Sequence, residues 1–195
     1  MKVLLFIVVV MSFIYTLYLF VESILKKYNY NILYYDIEAL DDSKVHVFNI
    51  IVQKNNDNNG KYLLFYSKTW KCKLFPNYKS VSKYKKGREP TQEDIENICL
   101  LYSMNTGINI TKNDLQYKGE LSDLKQSEND KVNKHYIFRF FLAEPKPNYY
   151  MSDTKLQYDG RKHYWMTIPN MLKDRNIIKK NKKVVDYVKS FTSIS

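Results

Sequence analysis

The sequence predicts an α+β domain preceded by one N-terminal transmembrane helix. Three observations carry this. Val3 to Val21 is a run of 19 residues without a charge. Further on, short segments rich in Val, Ile and Phe are separated by Asn, Gly and Pro clusters, which is how strands and turns read. Between them stands one amphipathic stretch, Thr91 to Gly107, with a start signal and a stop signal for a helix.

The apolar run sets the first boundary. At about 1.5 Å per residue, 19 residues just cross a hydrocarbon core of about 30 Å. The lipid-facing side chains are expected to be Val3, Leu4, Leu5, Phe6, Ile7, Val8, Val9, Val10, Met11, Phe13, Ile14, Leu17, Leu19, Phe20 and Val21. A cleaved secretory signal has a shorter apolar core and a small-x-small site; the best candidate here, Val21-Glu22-Ser23, is a poor one. A retained single-pass anchor over 1–25 is therefore expected. Lys26 and Lys27 outnumber Lys2, which places the carboxyl side in the cytoplasm. A tyrosine-rich connector, 26–43, leads to a domain over 44–195.

Composition narrows the class of that domain. Apolar residues make up 45% and charged residues 26%, enough for a core and too apolar for a disordered tail. Two cysteines form no disulfide framework, and no Cys/His cluster spells a metal site, so no cofactor is expected. The net charge is +11, yet 27 of the 31 basic residues are lysine. Lys, Asn, Ile and Tyr together make 79 of 195 residues, and A/T-rich codons encode all four. Much of the lysine is then expected to be solvated surface rather than a polyanion site.

Val45 to Gln53 reads as a strand, Asn55 to Gly60 as a turn, and Lys61 to Ser67 as the return strand of a hairpin. Trp70 to Phe75 follows and stops at Pro76. Lys79 to Arg88 is a basic loop. The helix opens at Thr91 with Glu93 and Asp94 at the positive end of its dipole. It buries Ile95, Ile98, Cys99 and Tyr102 and ends at Gly107. Leu115 to Leu121 reads as a strand, Gln126 to Lys134 as a polar loop, and His135 to Ala143 as a central strand. Residues 148–161 form an excursion. Lys162 to Thr167 is an aromatic strand, Pro169 opens a short helix over Asn170 to Asp174, and Ile177 to Phe191 is a basic amphipathic helix. Its inward residues are expected to be Ile178, Val184, Val185, Val188 and Phe191.

This order, with Trp70-x-x-x-x-Phe75-Pro76, Gly107-Ile108 after the helix, Trp165-Met166 and then Ile168-Pro169-Asn170-Met171-Leu172, resembles a Nudix domain. The resemblance covers about Lys44 to Phe191 and implies an α/β/α sandwich around a mixed sheet. Nudix enzymes carry a box, G-x5-E-x7-R-E-U-x-E-E-x-G-U with U aliphatic, whose glutamates hold Mg²⁺. Counted back from Gly107, the two late glutamates fall on Met104 and Asn105, the Arg-Glu pair on Leu100 and Leu101, the earlier glutamate on Gln92 and the opening glycine on Lys86. The resemblance thus implies a fold without the metal-dependent hydrolysis, hence neither an enzyme nor a metal protein.

A membrane anchor followed by a divergent Nudix domain looks like the CD-NTase-associated Nudix effectors of bacterial cyclic-oligonucleotide antiphage (CBASS) systems. That likeness implies a sensor in the inner membrane. Its partners would be a cyclic oligonucleotide, the lipid bilayer, further copies of itself on activation, and a cyclic-nucleotide synthase acting through its product. Two alternatives stay open: a degenerate Nudix-type mitochondrial large-subunit ribosomal protein, and a membrane-tethered Nudix-like hydrolase. On the sensor reading the ligand-binding candidates are Trp70, Lys73, Tyr84, Lys85, Lys86, Arg88 and Arg139. Cationic side chains would neutralise phosphate, and flat rings would stack a base.

Overall fold

The computed structural model describes residues 10–20, 45–55, 60–126, 133–144, 155–158 and 160–192. The connector 26–43, the turn tip 56–59, the middle of the polar loop and most of the 148–161 excursion lie outside the described residues. So do both ends of the apolar run. Its described part, residues 10–20, is a helix, α1, exposed on every side. Eleven residues span roughly 16 Å. Among the described residues no helix is long and apolar enough to cross a membrane, so the single span expected over Val3 to Val21 is not found as such.

Among the described residues, eight strands form two four-stranded sheets. β1 (Val45–Gln53), β4 (Asn77–Lys79), β5 (Leu115–Gln126) and β6 (Asn133–Ala143) make the first, in the order β4-β1-β6-β5. It is mixed, because β1 runs parallel to β6 while the other pairs are antiparallel. β2 (Lys61–Ser67), β3 (Cys72–Leu74), β7 (Lys155–Tyr158) and β8 (Arg161–Thr167) make the second, antiparallel throughout, in the order β3-β2-β8-β7.

The expected hairpin of β1 and β2 is corrected here. Both strands have the expected bounds, but they belong to different sheets and pair only just past the end of β1, where Lys54 bridges Tyr62 and the Asn55 N–H donates to the Lys61 carbonyl. Burial explains the split. Ile50, Ile51 and Val52 are all buried, so β1 has core on both faces, as a central parallel strand requires. A hairpin partner alone would leave that strand on an edge.

Two helices cover the faces. α2 (Gln92–Thr106) begins at Thr91, whose hydroxyl accepts from the Asp94 N–H, and ends at Gly107, φ 72°, in the left-handed conformation that glycine takes without steric cost. Ile98 and Tyr102 are buried against Ile51, Leu63, Phe141 and Trp165. Ile95 and Cys99 are only partly buried, and the buried line runs from Asp94 in the first turn through Ile98 and Tyr102 to Thr106. On the other side α4 (Arg175–Thr192) packs Ile177, Val184, Val185 and Val188 on Ile50, Val52, Leu64 and Phe140. Burying such side chains contributes roughly 1.5–3 kcal/mol each before ordering entropy is deducted. Ile177, not the expected Ile178, is the buried member of its pair. Pro169 sits at the start of α3 (Ile168–Met171), which Thr167 caps. The result is an α/β/α sandwich in which odd-numbered residues of β1 and β6 face α2 and even-numbered ones face α4.

Candidate functional site

Even-numbered aromatic residues of β1 and β6 continue beyond the end of the α4 core. Phe48, Tyr136 and Phe138 form a ladder of rings with centroids 6.2–6.4 Å apart and interplanar angles of 9–29°. They floor a cleft of about 380 Å³. Leu74, Phe75 and Asn77 form one wall, Trp70 another, and Lys179, Lys180 and Asn181 of α4 the third. The volume lies in the range of small-molecule sites, and the lining has their character: apolar surface with a few polar groups.

Two backbone irregularities shape the mouth. Asn181 breaks the helical geometry of α4, with φ −141° and ψ 16°. The break falls at the stretch of α4 that lines the cleft, Lys179, Lys180 and Asn181. Opposite them, Lys71 has φ 51°, a left-handed conformation rare outside glycine, and it closes the turn that carries Trp70. Trp70 is 39% exposed, and the centre of its ring lies 5.6 Å from the Lys180 ammonium. An exposed ring beside a cation suits a flat base with phosphate attached.

Of the seven ligand-binding candidates, Trp70 alone lines this cleft. Lys73 points elsewhere: its ammonium lies 3.4 Å from Asp174 and 5.1 Å from the centre of the Tyr164 ring. Lys85, Lys86 and Arg88 are exposed on the loop between β4 and α2. Tyr84 and Arg139 come together, but on the α2 side of the sheet. Arg139 is 2% exposed. Its Nη1 donates to Asp94 Oδ2 at 3.3 Å, its Nε lies 3.9 Å from Glu120 Oε2, and its guanidinium sits 5.6 Å from the Tyr84 ring. The Tyr84 hydroxyl donates to Glu120 Oε1 at 2.7 Å.

Asp94 is the hub of that cluster. Its carboxylate accepts from the Ser80 hydroxyl at 2.7 Å, the Val81 N–H at 2.9 Å, the Ser82 N–H at 3.3 Å and the Ser82 hydroxyl. Burial alone would raise its pKa, but the hydrogen bonds from Ser82, Ser80 and Val81 outweigh burial and hold it at about 2. The basic loop is thereby tied to the first turn of α2 and, through Arg139, to the central strand.

The cleft floor escaped the sequence reading because Phe48, Tyr136 and Phe138 look like ordinary strand aromatics. One signal could have revealed them. On β1 and β6 the rings recur at positions 48, 136 and 138, all of one parity, so they share one face of neighbouring strands.

An α/β/α sandwich with this strand order, with α2 capped by Gly107 and followed by Ile108, is a Nudix-like fold, and solved structures of Nudix proteins superpose on it. The dihydroneopterin triphosphate pyrophosphohydrolase of E. coli matches with TM-score 0.52 at 10% identity, over 76% of this chain and 96% of that one. The Nudix domain of Shewanella oneidensis NrtR, solved with ADP ribose, matches with TM-score 0.50 at 8% identity, over 83% and 96%. No protein-family model matches the chain, and no curated protein does.

The Nudix-like fold implies a divalent cation on α2. The residues present do not fit one. The positions that carry carboxylates in the box hold Gln92, Leu101, Met104 and Asn105, and Met104 is 59% exposed. Among the described residues no group of three or more His, Cys, Asp or Glu side chains is placed to hold a metal ion. A hard cation needs several anionic oxygens, and this helix offers one amide at its carboxyl end.

Proposed function

We propose that the chain is a non-hydrolytic Nudix-like module that binds a nucleotide in the aromatic cleft. The observation that carries this is the ring ladder of Phe48, Tyr136 and Phe138 facing Trp70, with Lys179 and Lys180 at the mouth. The rings supply stacking surface, worth about 1–3 kcal/mol per base, and the lysines supply charge for phosphate. The NrtR domain, solved with ADP ribose, supports a nucleotide-type ligand on this fold. Within that reading the chain acts as a membrane-tethered sensor of a cyclic oligonucleotide in bacterial antiviral defence. The uncharged, exposed helix at residues 10–20, apolar but for Ser12 and Thr16, supports the tether. One helix has no lumen, so breaching a bilayer takes several copies.

A calorimetric titration with cyclic di- and trinucleotides tests this, with light scattering to follow assembly. Binding that weakens about tenfold or more in Trp70→Ala and Phe138→Ala is expected. The same preparations, given nucleoside diphosphate compounds with Mg²⁺ or Mn²⁺, should show no turnover; metal-dependent hydrolysis would move the reading to the tethered hydrolase. A second reading is favoured by α4 away from the cleft, where Lys182, Lys183 and Lys189 are exposed. It is the Nudix-type mitochondrial ribosomal protein. Tight, salt-dependent binding to structured rRNA with no response to any cyclic nucleotide would select it.

A further inference from the structure

The ring ladder runs past the end of the cleft. His46 precedes Phe48 on the same face of β1 and stands outside the residues that line the cleft. Its ring lies 5.7 Å from that of Tyr136, at an interplanar angle of 27°. Register explains the contact: His46 pairs with Tyr136, and Phe48 pairs with Phe138. The four rings therefore make two rows on one face of the sheet. Tyr136 joins the rows, stacking on His46 in its own and on Phe48 and Phe138 in the next. All four side chains are half-buried, so each keeps some surface open to solvent.

Spacing decides what such a face takes. Residues two apart on a strand are separated by about 6.6 Å, whereas stacked bases in a duplex rise about 3.4 Å per nucleotide. Two rows thus match two bases held apart, not two bases stacked on each other. Single strands are bound in that way, with unstacked bases laid on aromatic side chains. Charge follows the rows. Lys79 on the edge strand β4 pairs with Phe48 and shares its face, as Asn77 shares that of Ile50 inside the cleft. Lys179 and Lys180 stand at the mouth. On the β5 side, Asp123 pairs in register with Tyr136, and Lys183 forms an ion pair with it, so the two charges offset each other.

We propose that His46 and Tyr136 form a second base subsite beside the cleft, so that the protein takes two bases joined by a phosphodiester. One base lies between Trp70 and the Phe48–Phe138 row, the next lies on the His46–Tyr136 row, and Lys79 meets the linking phosphate. The second subsite rests on the reading of the cleft as a nucleotide site. Its ligand chemistry is common to a cyclic dinucleotide and to a linear single strand.

The test is calorimetric titration of the full chain with four ligands: AMP, the linear dinucleotide pApA, the same dinucleotide with its second residue abasic, and the cyclic dinucleotide of adenosine. At least one of the two intact dinucleotides should bind about fivefold or more tighter than AMP, the gain expected of one further stacked base. Whichever shows the gain identifies the source. The abasic ligand should bind within about twofold of AMP. His46→Ala should remove the gain and leave AMP within about twofold, while His46→Phe, which keeps a flat ring, should retain it. Tyr136→Ala repeats the test from β6 if His46→Ala lowers the melting temperature. Trp70→Ala should weaken every ligand. Intact dinucleotides no tighter than AMP overturn the second subsite and leave the cleft standing. An abasic ligand as tight as pApA, or a gain that survives both His46→Ala and Tyr136→Ala, also overturns it. No binding of any of the four overturns the subsite and the cleft reading together.

Discussion

Asp94 turns a local helix signal into a tertiary joint. In the sequence it stands in the first turn of a helix, where a negative charge meets the dipole. In the fold it is fully buried and also holds the loop 80–82 and Arg139. Its folded pKa of about 2 lies below the unbound value of 3.8. Its stabilisation is therefore complete above pH 4 and is lost as the pH falls toward 2. The shift corresponds to about 2 kcal/mol. Denaturant titrations between pH 5 and 2 should show the wild type losing that much more than Asp94→Asn. Arg139→Ala should cost about 3 kcal/mol at neutral pH, the lower end for a broken buried pair, because Asp94 keeps its serine and backbone donors. Chemical denaturation reads this directly. An arginine amid Ile137, Phe138, Phe140 and Phe141 was visible in the sequence, but its partner was not. Asp94 lies 45 residues away, and no local pattern links the two.

At the level of elements, bounds were legible and neighbours were not. β1 and β2 occupy the expected segments, and Thr91 and Gly107 cap α2 as their residue types indicate. Propensity and capping act over a few residues, so the sequence displays them. Which strands pair is decided by burial on both faces, and that depends on the distant α4 and β6. β5 shows a further feature hidden from pattern. Between Tyr117 and Gly119 its register against β6 shifts by one residue, a bulge. Gly119 there has φ 108°, and a Cβ would come within 2.6 Å of the Tyr187 hydroxyl. Tyr187 packs its ring 4.5 Å from that of Phe140, so it has little freedom to withdraw. Gly119→Ala should lower stability by about 1–3 kcal/mol. Thermal melting of the variant, with Gly87→Ala as a control where nothing lies near the new methyl, separates the clash from the backbone strain.

For the whole molecule, the pull between bilayer and body is testable by fractionation. The full chain should remain with membranes through high salt and carbonate, and a chain starting at Lys44 should be released; a full chain found in the supernatant would remove the tether. The cleft was only partly legible because it belongs to no single segment. Trp70 comes from a turn, the ladder from two strands, and Lys179 to Asn181 from a helix that reads as uniformly amphipathic. The parallel pairing of β1 with β6 has a consequence in time rather than space. Val45 aligns with His135, ninety positions later. During synthesis at about 5–20 residues per second, β1 waits roughly 5–20 seconds for its central neighbour to emerge. Its apolar flanks need shelter meanwhile, and nascent chains halted before Asn133 should bind holdase chaperones and resist compaction. Chains extended past Ala143 should shed them, and pulse proteolysis of stalled ribosome complexes would show whether protection arises at that length.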